Sequence, residues 1–233
     1  MSRARIFTEP LIGGRLYHVY NQTNNSELLF LNDKDRWRFL YNLERFVSPY
    51  AYILAYNLLP NHFHLLIEVK NKQSLLNKKY RNFIRELPPA CKALITADED
   101  NMDLILKNRF TAMLSGYATY FNIRHKRRGN FLHRPFCRKW INTTDYFEKV
   151  AYYIHANGLH HGLYNDILDQ EWSSYQSVVI KDDTFLALGK LFEYFGGEEA
   201  FRKYHLENKR FKEEEKESFF IEEETVFKHL QPK

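Results

Sequence analysis

Hydrophobic positions along this chain recur with two periods, and the switches between them lay out its elements. Tyr17 to Gln22 alternates around Val19 and reads as a strand. From Asp33 to Phe46 the spacing changes to three and four. Trp37, Leu40, Tyr41 and Phe46 line one side of a predicted helix, with Asn32 or Asp33 as its cap and Pro49 just past its end. Ala51 to Asn57 and His62 to Val69 read as two further strands, joined as a hairpin by a tight turn at Pro60-Asn61. Ser74 to Glu86 is predicted helical, and Leu87 to Ala97, which contains Pro88-Pro89, is predicted to be a loop. Leu104 to Ile123 is a long helix with Phe110, Met113, Leu114, Tyr117 and Phe121 on its apolar stripe. Arg138 to Ile141 reads as the last strand. A helix then starts at Thr143-Thr144-Asp145, repeats Phe147, Val150, Ala151 and Ile154 at helical spacing, and stops at Gly158. Residues 183–206 predict a further helical pair split at Gly196-Gly197. The order strand, helix, hairpin, helices, strand, helix predicts an α+β domain, an antiparallel sheet with helices packed on it.

Chemistry concentrates on two of these elements. His62-Phe63-His64 lies on a predicted strand, where residues two apart point to one face. The two imidazoles therefore project side by side and supply adjacent ligands for one divalent metal. Tyr153 and Asn157, four apart on the later helix, share one helix face. A phenol and an amide carbonyl set against a metal held by two histidines make a coherent site. The tyrosine can attack phosphorus and the asparagine can complete the metal shell. Tyr152 is the adjacent competitor, turned about 100° away on the helix.

Charge divides the chain unevenly. The 34 Lys and Arg against 29 Asp and Glu give a net +5. Residues 181–233 hold 10 basic and 13 acidic residues, net −3, which leaves +8 for residues 1–180, where the histidine and tyrosine motifs lie. Residues 124–139 carry seven cations and no carboxylate: Arg124, Lys126, Arg127, Arg128, Arg134, Arg138 and Lys139. His125, Phe131, His133 and Phe136 lie among them. Cations neutralise phosphates and planar rings stack on unpaired bases, so this stretch is a candidate nucleic-acid surface. Residues 212–224 are rich in glutamate and read as an exposed acidic tail. Two cysteines, Cys91 and Cys137, stand far apart in no metal-type spacing, so no disulfide framework is expected and a reducing cytoplasm fits. No run of residues approaches the length that crosses a bilayer.

Four stretches together resemble the single-tyrosine HUH transposases, in the branch of REP-associated tyrosine transposases. They are Tyr17-His18-Val19-Tyr20-Asn21, the run from Tyr56 to Leu66 that contains His62-Phe63-His64, the basic run from Arg124 to Phe131, and Tyr153-Ile154-His155-Ala156-Asn157 followed by Glu171-Trp172-Ser173-Ser174-Tyr175. The family usually has proline after that asparagine, where this chain has Gly158. The resemblance implies a ferredoxin-like antiparallel sheet flanked by helices, with the histidines on its central strand. It implies a transposase domain over residues 1–180 and a C-terminal helical extension with an acidic tail over residues 181–233. By resemblance His62, His64 and Asn157 are the metal ligands and Tyr153 the nucleophile, and the mixed His/Asn ligand set suits Mg²⁺ or Mn²⁺ better than zinc. Single-stranded, hairpin-forming DNA is then the partner of a cytoplasmic monomer or homodimer. The linkage formed is a 5′-phosphotyrosine with release of a 3′-hydroxyl. A domesticated protein that binds such DNA without cutting it is the rival expectation, and an unrelated metal-dependent hydrolase using the same histidine pair is a weaker one.

Overall fold

A computed structural model describes residues 8–24, 27–76, 87, 89–97, 100–182 and 185–208. Four strands form one antiparallel sheet: β1 (Leu16–Gln22), β2 (Ala51–Leu58), β3 (His62–Val69) and β4 (Cys137–Ile141), in the order β2-β3-β1-β4. This order, with β1 and β3 central, is the ferredoxin-like arrangement. The register pairs Tyr20 with His64 and Gln22 with His62 across β1 and β3. The helices are α1 (Asp33–Phe46), α2 (Lys72–Leu76), α3 (Pro89–Thr96), α4 (Met102–Arg124), α5 (Thr144–His160), α6 (Tyr175–Ile180), α7 (Leu188–Phe195) and α8 (Glu198–Glu207).

Strand alternation sorts the sheet into two faces. Phe63, Leu65, Tyr17 and Val19 point to one face, all fully buried beneath α1 and α4. Phe39 of α1 meets Phe63 at 4.8 Å and Tyr117 of α4 at 5.3 Å, and Asn42 Nδ2 donates to Met113 O at 3.4 Å. His18, Tyr20, His62 and His64 point to the other face, which α5 covers. Helices α7 and α8 then pack against α5 and each other, and Ala187 N–H donates to Ile53 O of β2 at 2.8 Å. Thr143 caps α5 by accepting from Tyr146 N–H, and Asn32 caps α1 by accepting from Asp35 N–H.

Three local expectations are corrected. Residues 89–96 form α3, not a loop. Pro89 occupies the first helical position, where its fixed φ suits the helix and no N–H is needed, and Cys91 and Ile95 are buried. On α1 the buried stripe is Phe39, Leu40 and Leu43, while Trp37 and Tyr41 stand 63 % and 48 % exposed. Apolar residues fall on two sides of this helix, so two stripes compete, and the one facing Phe63 and Tyr117 wins. Gly158 does not stop α5, which runs on to His160; Gly162, at φ 65°, is the left-handed glycine after it, and Leu163 N–H returns to Gly158 O at 2.9 Å. The predicted helix over 74–86 is described only within Lys72–Leu76, and the acidic stretch 212–224 lies outside the described residues. Among the described residues, no helix is long and apolar enough to cross a membrane.

Candidate active site

Strand β3 holds His62 and His64 side by side, with ring centroids 5.0 Å apart. Each ring is oriented through Nδ1. His62 Nδ1 lies 2.8 Å from Asn61 Oδ1, and His64 Nδ1 lies 2.8 Å from His18 Nε2 on the neighbouring strand. Asn61 Oδ1 can only accept, so His62 carries its proton on Nδ1. Were His64 to hold the same tautomer, its Nδ1–H would donate to His18 Nε2. With Nδ1 protonated, metal ligation by either ring goes through the Nε2 lone pair, and a partner that fixes the tautomer raises ligand basicity.

Helix α5 lies directly over this pair. The Tyr153 ring meets His64 edge-on at 5.5 Å and His18 at 6.0 Å, and stacks on His160 at 5.9 Å. His161, at the C-cap of the helix, meets His62 at 5.5 Å. Asn157 is four residues from both Tyr153 and His161, so it sits on the helix face between the two contacts. Its side chain is fully buried, and neither Oδ1 nor Nδ2 makes a hydrogen bond. A buried amide costs about 1–3 kcal/mol when it is left unsatisfied. Among the described residues, no group of three or more His, Cys, Asp or Glu side chains is placed to hold a metal ion. The donors this face offers are the imidazoles of His62 and His64, the Asn157 amide oxygen and, at the end of the helix, the His161 imidazole. They fit a divalent cation that takes mixed nitrogen and oxygen ligands, such as Mg²⁺ or Mn²⁺.

The position of α5 is fixed by a buried polar bracket. Asn57 of β2 donates through Nδ2 to Ile154 O at 2.8 Å and to Gln170 Oε1 at 3.1 Å. Gln170 accepts from Gly158 N–H at 2.9 Å and donates to His155 O at 2.8 Å. Ser174 accepts from Tyr56 N–H at 2.9 Å and lies 3.0 Å from His155 Nε2. Tyr152 faces away from the histidine pair, toward Tyr204 and His205 of α8 at 6.4 and 5.5 Å, where burial pushes its phenol up to about 12.

The seven cations of residues 124–139 do not form one patch. Lys126, Arg128 and Arg134 are exposed. Arg127 is tied to Glu27 by two contacts of 2.5 and 2.6 Å, and donates to Asn130 O as well. The Glu27 side chain raises the Arg127 pKa, and Arg127 lowers that of Glu27. Arg124 lies 3.7 Å from the buried carboxylate of Asp35, which also meets His125 at 3.0 Å. Arg138 is buried on the α4 side of the sheet and donates to the carbonyls of Glu9 and Thr8. Together with Arg134 it lines a cavity of about 480 Å³ against α4. Lys139 points to the α5 side, over the Tyr146 ring at 5.3 Å. Sequence reasoning missed His18, Asn61, His161 and Gln170. The period-two alternation of Tyr17-His18-Val19-Tyr20 was a signal for His18; contacts as distant as Gln170 with Asn57 leave none.

No family model matches the chain, and no curated protein matches it. Among solved structures, the chain is similar to a REP-associated tyrosine transposase bound to a REP hairpin. The TM-score is 0.51 at 15 % identity, over 78 % of this chain and 87 % of that one. The likeness shows a shared fold, an antiparallel four-stranded sheet flanked by helices.

Proposed function

We propose that this chain is a single-tyrosine HUH transposase of the REP-associated type, which cuts and rejoins single-stranded, hairpin-forming DNA. The observation that carries this reading is the face of α5: Tyr153 against His64, His161 against His62, and the buried, unsatisfied Asn157 amide between them. The hairpin DNA bound to the structural neighbour supports the choice of partner.

In this reading His62 and His64, through Nε2, and Asn157, through Oδ1, would hold Mg²⁺ or Mn²⁺. When bound, the cation supplies Lewis-acid polarisation of a phosphate oxygen. His18 and Asn61 keep the two rings turned for that role. Tyr153 Oη attacks phosphorus and loses its proton; the new Oη–P bond replaces the P–O3′ bond, whose oxygen leaves as a 3′-hydroxyl. The 5′-phosphotyrosine conserves bond energy, so attack by another 3′-hydroxyl restores a phosphodiester and returns the phenol. Neither water nor ATP is consumed. Tyr153 is 2 % exposed, so admission of a strand requires movement at this end of α5.

The test is adduct formation on a labelled single-stranded hairpin with Mn²⁺ present. Wild type and Tyr152→Phe should form a denaturation-resistant protein–DNA adduct, and Tyr153→Phe should form none while binding DNA with about the same affinity. Adduct from Tyr153→Phe would overturn the assignment of the nucleophile. Tight hairpin binding without adduct by any form would establish the non-cutting alternative instead.

A further inference from the structure

The active site leaves the exposed half of α1 unexplained. Trp37 and Tyr41 lie one turn apart and face solvent. A tryptophan presents a large apolar face, and leaving it in water forfeits the free energy that burial would give. The Trp37 ring is nonetheless held in place. It stands edge-on to Trp172 at 5.3 Å, and the Arg36 guanidinium lies over Trp172 at 5.3 Å. Arginines surround the neighbouring ring in the same way. Arg38 lies over Tyr41 at 5.6 Å and over Tyr120 of α4 at 5.3 Å, Arg45 donates to Tyr41 Oη at 3.4 Å, and Arg124 lies 6.0 Å from Tyr120. Among the described residues, neither Arg38 nor Arg45 has a carboxylate partner. From Leu104 on, helix α4 beside them offers none, since residues 104–144 contain no Asp or Glu; the exposed carboxylates of α1 itself are Asp33, which pairs with Arg36 at 3.3 Å, and Glu44.

This surface adjoins the metal-binding strand. Leu58 N–H donates to Trp172 O at 3.0 Å, and Leu59 N–H donates to His62 O at 3.0 Å. Trp172 and Trp37 therefore flank the β2–β3 turn from which His62 rises.

We propose that Trp37, Tyr41 and Arg38 form a stacking platform for the unpaired bases of a DNA strand running to or from the His62 end of the sheet. This deepens the proposed function and rests on it. Aromatic faces stack on any base and guanidinium groups neutralise the phosphates between them, which is how single strands are held without sequence preference. Charge decides between a nucleic acid and a second copy of the chain. Pairing two such faces would bring together Lys34, Arg38 and Arg45 of each copy with only Glu44 and the Arg36-paired Asp33 as exposed carboxylates of α1, an excess of cations, whereas a polyphosphate complements them.

The test measures binding of a labelled, mixed-sequence single-stranded oligonucleotide to the full chain across a salt series. Trp37→Ala should bind about tenfold more weakly with an unchanged slope of log K against log salt, because stacking releases no counterions. Trp37→Leu should be as weak, since apolar bulk does not stack, and Trp37→Phe should stay within about threefold of wild type. Arg38→Ala should lower the slope by about 0.7. Binding by Trp37→Ala and Trp37→Leu equal to wild type would overturn the platform and leave the proposed function standing. A wild-type dimer in sedimentation that dissociates in Trp37→Ala, with DNA affinity unchanged, would overturn it in favour of a second copy. Absence of DNA binding by wild type would overturn the proposed function itself, and the platform with it.

Discussion

Replacing a glycine by alanine inside a helix ordinarily stabilises it by about 1 kcal/mol, and Gly158 is predicted to do the opposite. Gly158 lies within α5, and a Cβ built there would fall 2.7 Å from Tyr164 Cδ2 and closer still to Gln170 Oε1. Tyr164 is half-buried and its ring can swing aside. Gln170 cannot move cheaply, because its amide joins Asn57, His155 and Gly158 at 3.1, 2.8 and 2.9 Å. Displacing it forfeits two or three buried hydrogen bonds at about 1 kcal/mol each, and overpacking adds about 1–2 kcal/mol. After subtracting the gain in helix propensity, Gly158→Ala should destabilise by about 2–4 kcal/mol, which lowers the melting temperature by about 4–16 °C for a chain of this size. The assay is thermal and urea unfolding of Gly158→Ala, Gln170→Ala and the double variant. Removing the Gln170 amide first removes the main obstacle, so alanine at 158 should cost at least about 1 kcal/mol less in that background. A Gly158→Ala protein as stable as wild type, or an equal loss in both backgrounds, would refute the claim that Gln170 makes glycine necessary here.

The buried pair His155 and His205, 2.9 Å apart, is held neutral, chiefly by desolvation: His205 is pushed down to about 4 and His155 well below its ordinary value. Below about pH 6.5 the unfolded chain takes up protons that the folded chain refuses, so stability should fall as pH drops from about 6.5 to 4, by about 3 kcal/mol from His205 alone. Unfolding at stepped pH checks this, and a flat profile across that window would contradict it. Arg128→Ala combined with Arg134→Ala should reduce the salt dependence of single-strand binding, lowering the slope by about 0.7 for each phosphate these side chains neutralise. Arg127→Ala should leave that slope alone and instead lower stability by about 1 kcal/mol, because its guanidinium is committed to Glu27. Asn157→Leu should raise the melting temperature of metal-free protein and abolish the rise that Mn²⁺ gives wild type; a Mn²⁺ shift equal to wild type would remove Asn157 from the ligand set.

Elements whose ends are written locally were legible in the sequence. The expected helix from Asp33 to Phe46 and strand from His62 to Val69 have those same bounds in the structure, since a capping asparagine precedes the first and a proline turn the second. The overlap of Tyr153 and Asn157 on one face followed from helical spacing alone. What stayed hidden depends on partners far away in the chain. Trp37 and Tyr41 look like core residues until α4 supplies Tyr117 on the other side of α1, against Phe39. Gly158 looks like a stop until Gln170 is seen pressed against it. Arg127 looks like a phosphate contact until Glu27, 100 residues earlier, occupies it. Pro89 looks like a breaker because a proline in the first turn and a proline in a loop have the same local appearance.

These contacts also say why the polar groups under α5 are of two kinds. Asn57, Gln170, Ser174 and His155 are buried and hydrogen-bonded to one another or to backbone, so each holds the helix at a fixed height above β3. Asn157 is buried on the same helix and bonded to nothing, although a leucine of similar volume would remove the cost. The amides of Asn57 and Gln170 beside it are both engaged, so this part of the fold is not short of hydrogen-bonding capacity. The bracket sets the distance between helix and strand. Asn61 and His18 set the angles of the two imidazoles. Asn157 is then a fully buried amide on this helix face whose bonding the fold leaves undecided. Rigid neighbours around one unsatisfied group are what preorganised binding of a ligand requires, because the cost of desolvating and placing that group is met during folding and not on binding.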